Sequence, residues 1–211
     1  MANRADLNKS FPSVALLEIK NIADGIAAAD AMVKKSPIYM LQSGTVSQGK
    51  FIILIGGSTA SVDEAYREGL RVAAGSLLDS VQLHDIHPRL MAGIRGEIAA
   101  PEGDSLIVFD TARVADVLRI SDAVLKGARV NLVELRLADQ YGGRGYMLFS
   151  GALEEAEAAR MIAEELYSQP ETAFYTRMIP LLSEEVREDI RNGLRFNATS
   201  PVILKDGEKP Q

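Results

Sequence analysis

In the first half of the chain, the spacing of the apolar residues alternates between patterns typical of strands and patterns typical of helices. Four short apolar runs are compatible with β-strands: residues 14–20, 38–41, 51–55 and 81–86. Helical spacing predicts an amphipathic helix over residues 22–35, which Pro37 ends because proline cannot donate the i→i−4 hydrogen bond. A second helix is predicted from Ser61 to about Ala74, since Ser61 and Glu64 have the spacing of a capping box. The order β-α-β-β-α-β is a split β-α-β unit with its helices on one sheet face.

The second half of the chain repeats this pattern. Residues 22–34 align with residues 114–126 at an offset of 92. Residues 49–57 align with residues 143–151 at an offset of 94, so the second copy carries two extra residues before this strand. The identical pairs of the first alignment are Ala23/Ala115, Asp24/Asp116, Asp30/Asp122, Ala31/Ala123 and Lys34/Lys126. Two separated blocks that match in the same order indicate a tandem duplication.

The second copy has the same predicted elements. Its apolar runs lie at residues 106–110, 130–137, 146–149 and 173–179, and its helices at residues 114–127 and 153–167. Gly127 is predicted to end the first of these helices in a left-handed cap. A last amphipathic helix is predicted over residues 183–194.

These elements predict an α+β fold of two tandem ferredoxin-like domains, residues 13–96 and 104–195. Residues 97–103 contain a proline and a glycine and are predicted to form the linker between the domains. Pro, Gly, Lys and Asp are frequent in residues 196–211, which predicts a mobile tail.

Composition narrows the classes of function. Of the 211 residues, 47% are hydrophobic and 25% are charged, which is ordinary for a globular protein. The net charge of −6 argues against nucleic-acid binding, and no apolar run approaches the roughly 20 residues of a membrane span. Residues 1–9 are polar and lack the apolar segment of a secretion signal, and the absence of Cys excludes disulfides and thiolate metal sites. These features favour a soluble cytoplasmic protein.

Candidate catalytic and metal-binding residues are few. His84 and His87 could share a face of a helical turn and bind zinc. At the end of a predicted strand, however, their spacing puts them on opposite faces, and further ligands are missing. Residues 142–145 open a strand and lack the phosphate-loop pattern, and Ser47 has no nearby base to activate it as a nucleophile. We therefore predict no metal site, no catalytic residue and no enzyme activity.

Several motifs of the chain resemble a known family. They are Leu16 to Ile19, Ala28 to Lys34, Gly49-Lys50, Gly56-Gly57 and Asp79 to Pro88. Together they look like the shell domain of bacterial microcompartments, and the last is similar to trimeric shell proteins of the propanediol-utilisation type. The likeness covers about residues 13–182 and occurs in both copies. It implies two tandem shell domains, a homotrimer with pseudo-sixfold shape, and a structural tile of the microcompartment shell in the cytoplasm.

The resemblance also implies a central pore through which small metabolites pass. In the family, the loop between the second and third strands points at the symmetry axis, and here these loops are residues 44–49 and 138–143. The implied pore-lining residues are Thr45, Val46, Ser47, Gln48, Gln140, Tyr141 and Gly142. Propanediol-type relatives carry a Cys at the position of Ser47, where it helps to ligate an iron–sulfur cluster. Since a hydroxyl is a poor substitute for a thiolate, we predict a polar pore without a cofactor.

Neighbouring tiles of the family pack through a Lys at the end of the first helix. The implied edge residues here are Lys34, Lys126 and Arg89, with other shell proteins and enclosed enzymes as further partners. The second copy has no match for Arg89, so the two kinds of edge should differ. Without the resemblance, Lys34 and Lys126 are interpreted as cations that stabilise helix ends by about 0.3–1 kcal/mol, with Asp30 and Asp122 as their i,i+4 partners.

One alternative function stays open at this point. Split β-α-β repeats also serve as regulatory domains that bind small molecules, so the fold alone does not fix the function. A sensor of this kind would hold its ligand at an interface between the two copies. Tight binding to one compound of a metabolite panel, measured by calorimetry, would reveal it.

Overall fold

The computed structural model describes residues 12–138, 141–167 and 173–195, and each half of the chain forms a sheet of four antiparallel strands. The first half contains β1 (Ser13–Ile19), α1 (Ile22–Lys35), β2 (Met40–Thr45), β3 (Phe51–Gly57), α2 (Thr59–Ala73), β4 (Leu77–His84) and α3 (Pro88–Ile94). The second half contains β5 (Ser105–Thr111), α4 (Val114–Gly127), β6 (Asn131–Leu137), β7 (Gly145–Gly151), α5 (Leu153–Leu166), β8 (Phe174–Ile179) and α6 (Glu184–Arg191). The predicted fold class, two tandem split β-α-β units, is confirmed.

The two sheets have the same strand order, β2-β3-β1-β4 and β6-β7-β5-β8. Their registers define which residues of the two halves are equivalent. Leu16 of β1 lies opposite Val81 of β4, and its counterpart Val108 of β5 lies opposite Arg177 of β8. Equivalent residues therefore differ by 92 in β1 and α1, by 94 in β3 and α2, and by 96 in β4 and α3.

One face of each sheet packs against the helices of its own half. In the first half, Leu17 and Ile53 of the sheet lie in one cluster with Met32 of α1 and Val62 of α2. Successive strand side chains point to opposite faces, so alternate residues of β1 and β3 reach this core. Burying a side chain of this size stabilises the fold by about 1.5–3 kcal/mol. The helix-covered face is thus the main hydrophobic core of each half.

The opposite face of the first sheet is covered by α4, a helix of the second half. Leu16, Leu54 and Val81 of this sheet lie in one cluster with Val114 and Leu118 of α4. Helix α4 is packed between the two sheets, and ten of its fourteen residues are buried, against four of fourteen in α1. Because cores are close-packed, this shared cluster fixes one half of the chain relative to the other.

One pair of positions shows how the two halves reach close helix–strand packing with different residues. Gly25 of α1 lies against the Phe51 ring of β3, and a Cβ at Gly25 would overlap that ring. At the equivalent positions, Val117 of α4 lies against Gly145 of β7, where a Cβ would overlap Val117. The large residue is on the strand in the first half and on the helix in the second. Each half therefore needs one glycine at this contact.

The start of α2 differs from the sequence prediction. The cap is Ser58 and not Ser61: the Ser58 Oγ accepts the N–H of Ser61 at 3.3 Å. Strand β3 ends at Gly57, so the helix can begin at Thr59, two residues earlier than predicted. Ser61 thus lies inside the first turn.

The end of α4 also differs from the prediction. Gly127 is the last residue of the helix and has no positive φ, and Ala128 continues as extended chain. The predicted left-handed cap is therefore wrong. A Cβ on Gly127 would lie 2.6 Å from the Ile162 side chain of α5, so glycine is used here for close helix packing.

Helix α3 and the limits of β2, β4 and α6 also differ from the prediction: β4 begins four residues earlier than predicted, and α6 ends three residues earlier. The His87 ring caps α3 by accepting the N–H of Arg89, and Pro88 occupies the first turn, where its missing N–H costs nothing. No helix is predicted there from the sequence. Strand β2 begins two residues later than predicted and runs into the first pore loop, because the N–H of Ile38 bonds back to Ser36 after the proline.

Candidate pore and subunit interface

The first predicted pore loop is short. Strand β2 extends to Thr45, the N–H of Val46 donates to the carbonyl of Lys50 at 2.9 Å, and a single 3-10 turn lies between them. Gln48 in this turn has a φ of +67°, a conformation that is uncommon outside glycine. Thr45, Ser47 and Gln48 are exposed, whereas Val46 is half-buried and packs on the core.

The second predicted pore loop joins β6 to β7, and its Gln140 lies outside the described residues. Tyr141 and Gly142 are exposed, and both Gly142 and Gly143 have positive φ. The Tyr141 ring packs edge-on against the Tyr146 ring, with centroids 5.0 Å apart. Partial desolvation raises the pKa of Tyr141 further above its ordinary value of 10, and the hydroxyl is neutral at physiological pH.

The two loops of one chain contact each other through Lys50. Its ammonium donates to the carbonyl of Gly143 at 3.0 Å and lies 2.7 Å from the carboxylate of Glu18. A Cβ on Gly143 would lie 2.9 Å from the carbonyl oxygen of Ser47, so glycine permits this close approach. The second loop is thereby held against the first half of the chain.

Glu18 links the two halves from the middle of the first sheet. Its carboxylate is fully buried, with one oxygen bound to Lys50 and the other accepting the N–H of Val114 at 2.8 Å. Val114 begins α4, where backbone N–H groups lack partners within the helix and the helix dipole favours a negative charge. Arg113, which precedes it, supplies no side-chain cap. Glu18 therefore caps a helix of the other half.

The equivalent pair in the second half is Asp110 and Arg144. The guanidinium of Arg144 donates to Oδ1 of Asp110 at 2.8 and 3.0 Å and lies over the Tyr175 ring, 5.3 Å from its centroid. The Asp110 side chain is 25% exposed, whereas Glu18 is buried. Within the described part of the chain, Asp110 caps no helix. None of these four charged residues has a role in the sequence prediction.

Lys34 and Lys126, two of the predicted edge residues, lie in different surroundings. Lys34 pairs with Asp30 at 2.6 Å, and 74% of its side chain is exposed. Lys126 forms the same pair with Asp122 at 2.6 Å, but only 41% of its side chain is exposed, because α4 lies against the first half. Asp122 is buried there and also accepts the N–H of His87 at 3.0 Å. The two predicted i,i+4 pairs are both present.

Arg89, the third predicted edge residue, joins the two halves within one chain. Its guanidinium donates to the carbonyl of Leu132 at 2.7 and 2.9 Å. Nearby, the His84 ring bonds to the Ser13 hydroxyl at 3.0 Å, while the His87 ring serves as the cap of α3. In the described ranges, no group of three or more His, Cys, Asp or Glu side chains could hold a metal ion.

Each half has an apolar face that is exposed to solvent, although the equivalent face of the other half is covered. Ile26 of α1 is 57% exposed, and its equivalent Leu118 in α4 is fully buried; Leu41 of β2 is 43% exposed, and its equivalent Leu132 in β6 is fully buried. The first open face consists of Ile22, Ile26, Val33 and Leu41. The second open face consists of Tyr175, Ile179, Leu181 and Val186. Large apolar residues that are exposed on one element or on neighbouring elements are candidates for an interaction surface.

These features define a duplicated α+β protein whose halves associate through a helix laid across a sheet. Residues 13–87 match the family model of the BMC domain. The bacterial microcompartment shell protein PduT of Citrobacter freundii is 29% identical over 181 residues, which is 86% of this chain and 98% of that protein. A solved microcompartment protein from Desulfitobacterium hafniense is 28% identical with a TM-score of 0.73, over 85% of this chain and 99% of that one. The chain is thus similar over most of its length to tandem-domain microcompartment shell proteins, and its first half matches the BMC domain.

Two further solved structures share the fold at lower identity. The fused permuted hexameric shell protein of the RMM microcompartment is 14% identical with a TM-score of 0.53, over 76% of this chain and 87% of its own. The double-ringed trimeric shell protein of the same microcompartment is 16% identical with a TM-score of 0.54, over 73% and 81%. These likenesses show the fold alone. Among the described residues, no helix has the length and apolar character needed to span a membrane.

Glu18, Lys50, Asp110 and Arg144 are the functional candidates that sequence reasoning missed. Glu18 and Asp110 are acidic residues at equivalent positions within apolar strands, and Lys50 and Arg144 are basic residues at equivalent positions after the loops. A charged residue inside a buried strand requires a partner. An acidic and a basic residue recur at the same two positions of both copies, and this recurrence is the sequence signal that could have identified them.

Proposed function

We propose that this shell protein assembles as a homotrimer that forms one pored tile, through which small polar metabolites cross the shell. The proposal is carried by one observation: α4 is covered by the first half of its own chain, while the equivalent α1 is open. A second copy can cover α1 in the same way by placing its second open face over the first open face. Contacts of this head-to-tail kind close into a ring when the rotation divides the circle.

The chemistry of the loops supports a polar pore. Exposed loop residues offer hydroxyl groups at Thr45, Ser47 and Tyr141 and an amide at Gln48. Such groups exchange hydrogen bonds with a passing polar solute in place of water, without the strong attraction of a charged ring. In each chain the two loops lie side by side, and three copies would place six loops around one axis.

The contact between copies can be traced with engineered disulfides, because the chain contains no cysteine. Within one chain, a Cβ on Gly93 of α3 would lie 3.3 Å from the Leu135 Cβ of β6, close to the separation in a disulfide. The equivalent residues are Asp189 of α6 and Ser43 of β2, on elements that also contribute to the two open faces. We expect oxidised Asp189→Cys/Ser43→Cys protein to run as dimers and trimers on a denaturing gel without reductant.

The matched control is Gly93→Cys/Leu135→Cys, which should cross-link within one chain and run as a monomer of altered mobility. Each single-cysteine variant should stay uncross-linked at the same protein concentration. Sedimentation of the unmodified protein should give the mass of three chains. A monomer at micromolar concentration, or a ladder of cross-linked species that continues past the trimer, would rule out the closed ring.

We propose further that Lys34 contributes most to the lateral contacts between tiles, with Lys126 and Arg89 in smaller roles. Lys34 is the most exposed of the three, whereas Arg89 is already bonded to Leu132. Lys34→Ala should reduce the formation of ordered sheets in electron micrographs and leave the trimer intact, while Lys126→Ala should have a weaker effect. If Lys34→Ala protein forms sheets like the unmodified protein, the edge assignment is wrong.

A further inference from the structure

The two halves carry ion pairs at equivalent positions. Only the pair of the first half is hydrogen-bonded to the start of a helix and to a pore loop of the other half. In the first half, Glu18 accepts the N–H of Val114 at 2.8 Å. Its partner Lys50 donates to the carbonyl of Gly143 at 3.0 Å and lies 3.4 Å from that of Ala112. One ion pair thus holds both the start of α4 and the second pore loop.

The equivalent pair, Asp110 and Arg144, has unused hydrogen-bonding capacity. Arg144 binds Oδ1 of Asp110, so Oδ2 has no partner among the described residues. Arg144 uses Nε and Nη2 in this pair, so its Nη1 is likewise without a described partner. The Tyr175 ring under the guanidinium holds it in place on the second open face.

The groups that this pair could bind are present on the other side of the proposed contact. The positions equivalent to Val114 and Gly143 are Ile22 and Gly49. Ile22 begins α1, and its N–H has no hydrogen-bond partner in the described ranges, because the Asn21 side chain caps the N–H of Asp24. The start of α1 therefore still has a donor available, as α4 would without Glu18.

We infer that Asp110 and Arg144 form the polar contact by which one chain holds the next. Asp110 accepts the N–H of Ile22 in a second copy, and Arg144 donates to the carbonyl of Gly49 in that copy. The inference rests on the homotrimer proposed above. The contact of Asp110 and Arg144 binds each first loop to the neighbouring chain, while Lys50 binds each second loop to its own chain. Loops bound within a chain and loops bound between chains therefore alternate around the pore.

Reversal of the pair tests this contact. Asp110→Lys with Arg144→Glu keeps an ion pair within the chain but turns a positive charge toward the start of α1 and a negative charge toward a carbonyl. Like-charge contacts of this kind oppose binding. We expect the dissociation constant of the trimer, measured by analytical ultracentrifugation, to rise at least about tenfold. The dissociated chain should still melt cooperatively.

A milder pair and a matched control separate the possible outcomes. Asp110→Asn with Arg144→Gln should raise the dissociation constant less, and trimers that remain should exchange amide hydrogens faster at residues 47–50. Arg160→Glu with Glu164→Arg reverses an ion pair on α5, on the outer layer of the second half, and should leave the trimer unchanged. If reversal of Asp110 and Arg144 only lowers the melting temperature, the pair stabilises its own half and the inference is overturned, although the homotrimer stands. If the unmodified protein is not trimeric, the homotrimer fails first and this inference fails with it.

Discussion

Helices α1 and α4 have the same length and share five residues at equivalent positions, yet one is half open and the other is enclosed. The difference is greatest at Ile26, which is 57% exposed, and at its equivalent Leu118, which is fully buried. Both helices pack one face on their own sheet. Only α4 finds a second sheet within the chain, so the burial of a helix here depends on its neighbours more than on its own sequence.

An identical residue in the two helices shows what this difference does to its chemistry. Asp24 of α1 is only partly buried, and hydrogen bonds from Asn21 and then Ser76 lower its pKa. Its equivalent Asp116 in α4 is buried, and desolvation raises its pKa to about 6 in spite of its ion pair with Arg119. The pKa of this residue is thus lowered by hydrogen bonds in the partly open α1 and raised by desolvation in the enclosed α4.

The largest expected effect comes from placing a charge on this face of each helix. Leu118→Asp buries a carboxylate between two sheets without a partner, and we expect it to cost more than about 4 kcal/mol, enough to prevent folding. Ile26→Asp should leave a folded chain that sediments as a monomer. Circular dichroism melts and sedimentation velocity measure the two outcomes. An Ile26→Asp protein that remains trimeric would show that the first open face is not the contact.

A second effect, of about 3 kcal/mol, concerns the pH dependence of stability. A carboxyl group with a higher pKa in the folded state binds its proton more tightly there, so its contribution falls as pH rises from 3.8 toward 6. We therefore expect the free energy of unfolding of the Asp116→Asn protein to fall less across that pH window than that of its background. Urea unfolding in the monomeric Ile26→Asp background measures this difference. Asp24→Asn is the control with the opposite sign, because the lowered pKa of Asp24 makes its contribution fall as pH decreases. Parallel pH profiles for Asp116→Asn and the background would contradict the assignment.

The smallest expected effect comes from giving the contact of α1 with β3 the residue pattern that the second half has at its equivalent contact. Gly25→Val should cost about 2 kcal/mol, because the new side chain meets the Phe51 ring. Adding Phe51→Gly reproduces the arrangement of Val117 and Gly145, so the two changes together should cost at least about 1 kcal/mol less than their sum. Urea unfolding of the two single variants and the double variant measures this coupling. If the costs of the two single changes simply add, the side chains at positions 25 and 51 do not compete for the same space.

The order of elements and the duplication could be predicted from the sequence because hydrophobic period, turn residues and internal alignment are local signals. The limits of α1 and α4 match the structure for the same reason. The covering of α4 could not be predicted, since Asp116 and Asp122 have identical equivalents in α1, which no second sheet covers. The contact of Lys50 with Gly143 joins residues 93 apart, and no pattern along the chain reports it. The resemblance located the loops, but their connection depends on how the halves pack.

The two open faces also bear on how much of this protein a cell makes at once. In the homotrimer proposed above, association follows mass action, so chains at low abundance would leave Ile22, Ile26 and Leu181 in contact with water, while abundant chains would cover them. The melting temperature should accordingly rise with protein concentration. Until the proposed trimer forms, a newly synthesised chain would expose these apolar residues, and the concentration of other copies would decide between assembly and aggregation.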